Sequence, residues 1–173
     1  MSKKIVIIDY NSGNIRSVFN ALESIKKDNE EILISNKISD IQSASHLILP
    51  GVGSFSDCAK GLSTIQGMID EIKNHIKKDR PFLGICVGMQ LLAEFGYEGG
   101  KNNGLNFISG DVIKINDDDN SLKIPHIGWN NLEIQSNHKI LSGIAQGDHF
   151  YFVHSYHFKV QNSENIIAQV SYG

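Results

Sequence analysis

The segment Pro81-Phe82-Leu83-Gly84-Ile85-Cys86-Val87-Gly88-Met89-Gln90-Leu91-Leu92 holds the most reactive arrangement in the sequence. An apolar strand runs into Cys86, glycines stand two residues before and two after it, and an apolar helical pattern follows. This is a Gly-x-nucleophile-x-Gly elbow with cysteine as the nucleophile. Glycines remove the side chains that would clash where a strand turns sharply into a helix. A thiol at that helix N-terminus is surrounded by backbone N–H groups that favour the thiolate. An isolated cysteine would be read as a small buried hydrophobe, and that reading is kept for Cys58, which has no such setting.

A second glycine turn, Leu49-Pro50-Gly51-Val52-Gly53-Ser54-Phe55, also follows an apolar strand. In an open parallel sheet, ligand sites gather at the carboxyl ends of the strands, so this loop is expected beside Cys86. Glycine-rich backbone next to a nucleophile offers N–H donors to a developing oxyanion. Neither Gly-x-x-x-x-Gly-Lys nor Gly-x-Gly-x-x-Gly is present, which argues against a phosphate loop. His126, His154 and His157 lack metal-ligand spacing with cysteines or carboxylates, and a hydrogen-bonded structural role is expected of each. No metal and no cofactor is expected. The Asp117-Asp118-Asp119-Asn120 run lacks the alternating ligands of a calcium loop and reads as a solvated turn.

The elements that must position these groups alternate. Lys4 to Asp9 is a short β-branched run suited to a strand buried on both faces. Ile15, Val18, Phe19, Leu22 and Ile25 then fall at helical spacing. Strands are expected at Glu31–Ser35, at His46–Leu49, stopped by Pro50-Gly51, and at Phe82–Ile85. Helical periodicity returns in Ile65, Met68, Ile69, Ile72 and Ile76, and Asp79-Arg80-Pro81 closes it. The pattern predicts an α/β fold: an open, largely parallel sheet flanked by helices. The second half reads as short added antiparallel strands, with candidates at Phe107–Ile115, Asn131–Ile134, His149–Val153 and Ile166–Val170. Gly96, Gly99, Gly100 and Gly104 mark a flexible loop, and Pro125, Gly128, Asn130 and Asn131 suggest another around Trp129.

The chain has 173 residues, 16 Lys+Arg against 19 Asp+Glu, and a formal charge of −3. That length suits one domain. The weak negative charge argues against a sequence-independent nucleic-acid binder. No apolar run approaches the ~20 residues of a membrane span, and Asp9 cuts the N-terminal run too short for a signal peptide. Two cysteines are too few for a disulfide scaffold, and the expected location is the reducing cytoplasm.

The sequence resembles the class I (triad) glutamine amidotransferases, in particular the glutaminase subunits of imidazole glycerol phosphate synthase. The matching segments are Ile-Asp-Tyr-Asn-Ser-Gly-Asn (8–14), Leu-Pro-Gly-Val-Gly-Ser-Phe (49–55) and Leu-Gly-Ile-Cys-Val-Gly-Met-Gln-Leu-Leu (83–92). Ile-Pro-His-Ile-Gly-Trp-Asn (124–130) and Tyr-Phe-Val-His-Ser-Tyr (151–156) narrow the match to these subunits. The resemblance implies that Cys86 attacks the side-chain amide of glutamine, forming a γ-glutamyl thioester that water cleaves to glutamate. It implies an oxyanion site from Val87 and the loop Gly51, Val52 and Gly53. It implies a glutamine pocket at Gly53, Gln90, Ser155 and Tyr156. Ammonia would pass to a separate (β/α)8 cyclase subunit that makes imidazole glycerol phosphate and an aminoimidazole carboxamide ribotide. Asn14, Trp129 and Asn130 are the candidates for the face that meets this partner.

One departure stands out. Members of the family continue past the match to Ser171-Tyr172-Gly173 into a Gln-Phe-His-Pro-Glu segment, whose histidine and glutamate complete the triad. The sequence contains no His-Pro-Glu. The expected organisation is a single amidotransferase domain over 1–173 that lacks this segment. Loss of a general base typically costs ~10²–10⁴-fold in rate. The alternatives are a related subunit that amidinates surface-polysaccharide sugars, a catalytically impaired partner-binding subunit, and use of His154 or His157 as the base.

Overall fold

The computed structural model describes residues 3–116 and 122–172; the turn expected at 117–120 lies outside them. The first half alternates strand and helix: β1 (Lys3–Ile8), α1 (Ile15–Ile25), β2 (Glu30–Ser35), α2 (Ile38–Ser43), β3 (His46–Gly51), α3 (Phe55–Ser63), α4 (Met68–Lys77) and β4 (Phe82–Cys86). These strands form one parallel sheet in the order β2-β1-β3-β4.

Successive side chains along a strand point to opposite faces, so the continuous apolar runs of β1 and β3 feed two separate cores. Val6, Ile8, Leu47 and Leu49 pack with Ile41, Phe55, Cys58, Leu62, Met68 and Ile72 from α2, α3 and α4. On the other face Ile7, Ile32 and Ile48 meet Ile15, Val18, Phe19 and Leu22 of α1. The sheet is therefore covered on both sides, as the alternating pattern predicts. The α1 stripe runs out at Ile25, which is 74% exposed.

Pro50 and Gly51 do not end β3. The strand continues, and Gly51 pairs with Cys86 at the end of β4. Two helices fall outside the sequence-based expectation. In α2 a single residue, Ile41, is buried, which is too little to show a period. The second, α3, opens on a Ser54 cap whose hydroxyl accepts the Asp57 N–H, and it buries Phe55, Cys58 and Leu62.

After β4 come α5 (Val87–Gln90), β5 (Phe95–Gly96), β6 (Asn102–Asn103), β7 (Gly110–Lys114), β8 (His126–Asn131), β9 (Glu133–Ile134), β10 (His149–His154), β11 (Tyr156–Val160) and β12 (Ala168–Gln169). The helical pattern expected through Leu92 stops at Gln90. The carbonyls of Leu91, Leu92, Ala93 and Glu94 instead accept N–H groups from Gly104 to Ile108. The glycine-rich stretch 96–104 is bracketed by an antiparallel pair, β5 with β6. The strand expected from Phe107 begins only at Gly110, and β11, which pairs with it, was not foreseen. Trp129 lies on a strand rather than a loop, opposite Tyr151 in the β8–β10 ribbon. Asn131–Ile134 divides between the end of β8 and the short β9, which pairs with β12.

Candidate active site

Cys86 occupies the junction of β4 and α5 with φ 56° and ψ −121°, a conformation that L-residues rarely adopt. Its neighbours explain how the chain accommodates this. A Cβ on Gly84 would fall 2.6 Å from the Gly88 carbonyl oxygen and the Met89 Cα. A Cβ on Gly51 would meet the Gly88 nitrogen at 2.5 Å and the Val87 carbonyl carbon at 2.9 Å. One on Gly88 would overlap the Leu49 carbonyl. Three glycines thus let the strand ends and the turn interlock backbone to backbone, and the turn forces the thiol outward. Cys86 is free and exposed, whereas Cys58 is free and buried.

The end of β3 and the loop after it are tied down by side chains of the 10–12 turn. The buried Tyr10 hydroxyl donates to the Pro50 carbonyl at 2.5 Å, and the Ser12 hydroxyl donates to the Val52 carbonyl at 3.0 Å. The Cys58 Sγ lies 3.1 Å from the Ser12 hydroxyl. Burial, and then the neighbouring Cys58, push the Tyr10 phenol well above its ordinary range, so it stays protonated and able to donate. The carbonyls on either side of Gly51 are thus both held, and Gly51 itself packs against Val87.

A pocket of about 280 Å³ opens at Cys86, lined by Val52, Gly53, Val87, Gln90, Glu98, Pro125, Val153, His154, Ser155 and Tyr156. Every residue singled out from the sequence for nucleophile, oxyanion or substrate roles is here, except Gly51, which sits directly behind Val87 and Gly88. Gln90 is buried and its amide donates to the Tyr156 carbonyl at 3.1 Å. Asn14, Trp129 and Asn130 lie outside the lining. Asn14 caps α1, and Trp129 is 71% exposed with its ring edge-on to Tyr151, centroids 5.6 Å apart. Asn130 is half-buried and donates to the Ser171 carbonyl at 2.8 Å.

Two polar pocket residues, Glu98 and His154, had no sequence signal as substrate contacts. Glu98 is the only carboxylate in the lining among the described residues, and it accepts the Phe55 N–H at 2.8 Å, 43 positions away. His154 reaches the pocket because β10 ends there, but both ring nitrogens are engaged. Nδ1 lies 3.0 Å from the Tyr156 carbonyl and Nε2 lies 2.9 Å from His126 Nδ1. That arrangement leaves it no free lone pair to take a thiol proton. His157 pairs across β11 with Ile113, and it is held below its ordinary pKa by burial and then by His154. Among the described residues no cluster of three or more His, Cys, Asp or Glu could hold a metal ion, and no helix is long and apolar enough to cross a membrane.

A family model described as "Glutamine amidotransferase class-I" matches residues 6–172. The Rhodospirillum rubrum protein "Imidazole glycerol phosphate synthase subunit HisH" is 45% identical over 175 residues, covering 98% of this chain and 82% of that protein. The Pelagibacter ubique protein of the same description is 41% identical over 169 residues, covering 97% and 81%. Among solved structures, one described as a glutamine amidotransferase superposes with a TM-score of 0.69 at 17% identity, over 95% of this chain and 79% of the other. The PurLQS structure from Thermotoga maritima gives 0.66 at 17% identity, over 100% and 76%. At that identity the structures speak for the fold alone.

Proposed function

The chain belongs to the class I glutamine amidotransferases and, within them, to the HisH subunits of imidazole glycerol phosphate synthase; from this we propose that its pocket hydrolyses glutamine and passes the ammonia on for histidine biosynthesis. The observation that carries the proposal is Cys86, held at φ 56° by backbone packing and opening into a pocket with Gly53, Gln90, Ser155 and Tyr156.

In the proposed reaction the Cys86 thiolate attacks the side-chain amide carbon of glutamine. The carbonyl oxygen becomes an oxyanion, met by the Val87 N–H and by N–H groups of Gly51, Val52 and Gly53. Collapse, with a solvent water protonating the amide nitrogen, breaks the C–N bond, expels ammonia and leaves a γ-glutamyl thioester. Water then adds to the thioester and glutamate departs. Gly53, Gln90, Ser155 and Tyr156 would orient the amino-acid end by neutral hydrogen bonds, which do not compete for the thiol. Glu98 adds the one negative charge able to face an α-ammonium group. The proposal assigns no residue of this sequence as the general base.

The partner we propose is the (β/α)8 cyclase subunit, which would use the ammonia to form imidazole glycerol phosphate and an aminoimidazole carboxamide ribotide. Asn14, Trp129 and Asn130 would mark the face that meets it. The supporting feature is the β8–β10 ribbon, where Ile127, Trp129, Tyr151 and Val153 are all more than half exposed. A cytoplasmic location fits two free thiols and a cytoplasmic substrate.

The test is glutamate release from glutamine by this chain mixed with the cyclase subunit and the cyclase's ligand. Turnover that disappears in Cys86→Ala supports the proposal. Turnover that persists in Cys86→Ala refutes Cys86 as the nucleophile.

A further inference from the structure

We infer that His126 and His154 form a hydrogen-bonded relay of fixed tautomers that positions the Tyr156 carbonyl and the Gln90 amide on the pocket wall. Both would be positioning residues for the amino-acid substrate, and the inference rests on the glutaminase reading above.

Every link is set by a group that can play only one role. The Tyr156 carbonyl is an acceptor, so His154 Nδ1, 3.0 Å away, must carry the proton. In a neutral ring that leaves Nε2 as the acceptor, and the group facing it at 2.9 Å is His126 Nδ1. His126 Nδ1 is therefore the donor, and its Nε2 keeps the lone pair. The group facing that lone pair is the Asn130 amide nitrogen at 3.4 Å, a donor that also gives to the Ser171 carbonyl at 2.8 Å. The orientation of the Asn130 amide is fixed independently, because its oxygen accepts the Asn131 N–H at 2.8 Å. At the other end the Tyr156 carbonyl accepts the Gln90 amide at 3.1 Å.

The rings cannot easily turn. His126 is 3% exposed and lies between Phe152 and Tyr172, with centroids 5.2 and 4.0 Å away and interplanar angles of 11° and 24°. A cluster serving stability alone would have no reason to end at a ligand wall. This one ends at Gln90, His154 and Tyr156, three residues that line the pocket with Cys86. If either ring rotated or changed tautomer, two donors or two lone pairs would face each other. The Tyr156 carbonyl would lose one of its two side-chain donors, and the Gln90 amide would be left as the other.

The test has two arms. Long-range 1H–15N spectra of the unsubstituted chain should show His126 and His154 each protonated at Nδ1 and bare at Nε2. A proton on His154 Nε2 instead of Nδ1 overturns the relay, and this arm needs no variant to fold. In the second arm L-glutamine binding is measured by calorimetry in a Cys86→Ala background, so that no turnover blurs the equilibrium. His154→Phe keeps the ring and removes both links, and it should weaken binding about tenfold, as loss of one well-made hydrogen bond does. His154→Gln keeps one donor and one acceptor and should return to within about threefold of the parent. Equal binding by parent and His154→Phe overturns the positioning role while leaving the glutaminase reading intact. A parent that binds no glutamine overturns that reading, and the positioning role with it.

Discussion

Gly88 packs directly on the Leu49 carbonyl, with no room between them for a methyl group. The contact joins the turn after Cys86 to the strand before the glycine loop, so the two sides of the pocket are packed together. Gly88→Ala should destabilise the chain by about 1–3 kcal/mol, the usual cost of forcing an extra carbon into packed backbone. A urea titration should show a lower midpoint at unchanged slope. Alkylation of Cys86 by a glutamine-like electrophile should slow in the same variant, because the elbow must shift to make room.

The two thiols should separate cleanly by accessibility. Cys86 is exposed and Cys58 is fully buried against Ser12 and the Val52 carbonyl. Under native conditions a thiol reagent should modify one cysteine quickly, and Cys86→Ala should abolish that phase. The second thiol should react only on unfolding. Rapid native labelling of Cys58 would mean that the loop after β3 is not held as described.

Tyr10→Phe should act on the loop rather than on the fold. The ring remains to fill its buried site, but the Pro50 carbonyl loses its 2.5 Å donor. A cost of about 0.5–1.5 kcal/mol is expected. The larger effect should be on glutamate release, since the 51–53 backbone would no longer be held beside Val87. If kcat is unchanged while stability falls, the tether has no part in the chemistry.

Stability should fall on the acid side in two stages. Burial, ahead of every other cause, holds His75, His126 and His157 below the ordinary value of 6.5. His75 Nδ1 is buried with no hydrogen-bond partner among the described residues. A histidine with a lowered folded pKa binds its proton more readily when unfolded. Its penalty is therefore absent above 6.5, grows as pH falls from there to the lowered value, and then levels off. Glu30, Asp40 and Glu133 are also held low, chiefly by hydrogen bonds from the Lys27 backbone, Lys4 and Ser171 respectively. Their contribution is present above the ordinary 4.5 for Glu and 3.8 for Asp and is lost as pH falls through the folded values. Urea midpoints between about pH 8 and pH 4 should show the first decline in the imidazole range, and His126→Phe should flatten part of it.

Trp129→Ala should leave stability nearly unchanged and weaken the partner complex. The ring is 71% exposed and touches Tyr151 edge-on, so little packing is lost with it. Trp is enriched among the few interface residues whose truncation costs about 2 kcal/mol or more. Calorimetry against the cyclase subunit, beside a thermal melt of the chain alone, separates the two effects.

Local signals sufficed where a residue's role depends on its neighbours in sequence. Gly84, Cys86 and Gly88 define the elbow within five residues, and the alternation of Val6, Ile7 and Ile8 already implies two cores. The Ser54 cap with Asp57, followed by Phe55, Cys58 and Leu62, was a readable helix signal that the surrounding glycines obscured. The β8 ribbon misled because Gly128, Asn130 and Asn131 look like loop residues, while Trp129 and Ile127 point outward instead of into a core. Glu98 and His154 could not be read locally. Their place in the pocket depends on contacts made across tens of residues.

The outward thiol and the closed glycines answer differently to substitution. The Cys86 side chain is free and exposed, whereas Gly51, Gly84 and Gly88 are closed to any side chain. A change at one of the glycines would be felt first as lost stability, because the backbone must part to admit a side chain. A change at Cys86 would leave that packing as it is and alter only what the pocket presents.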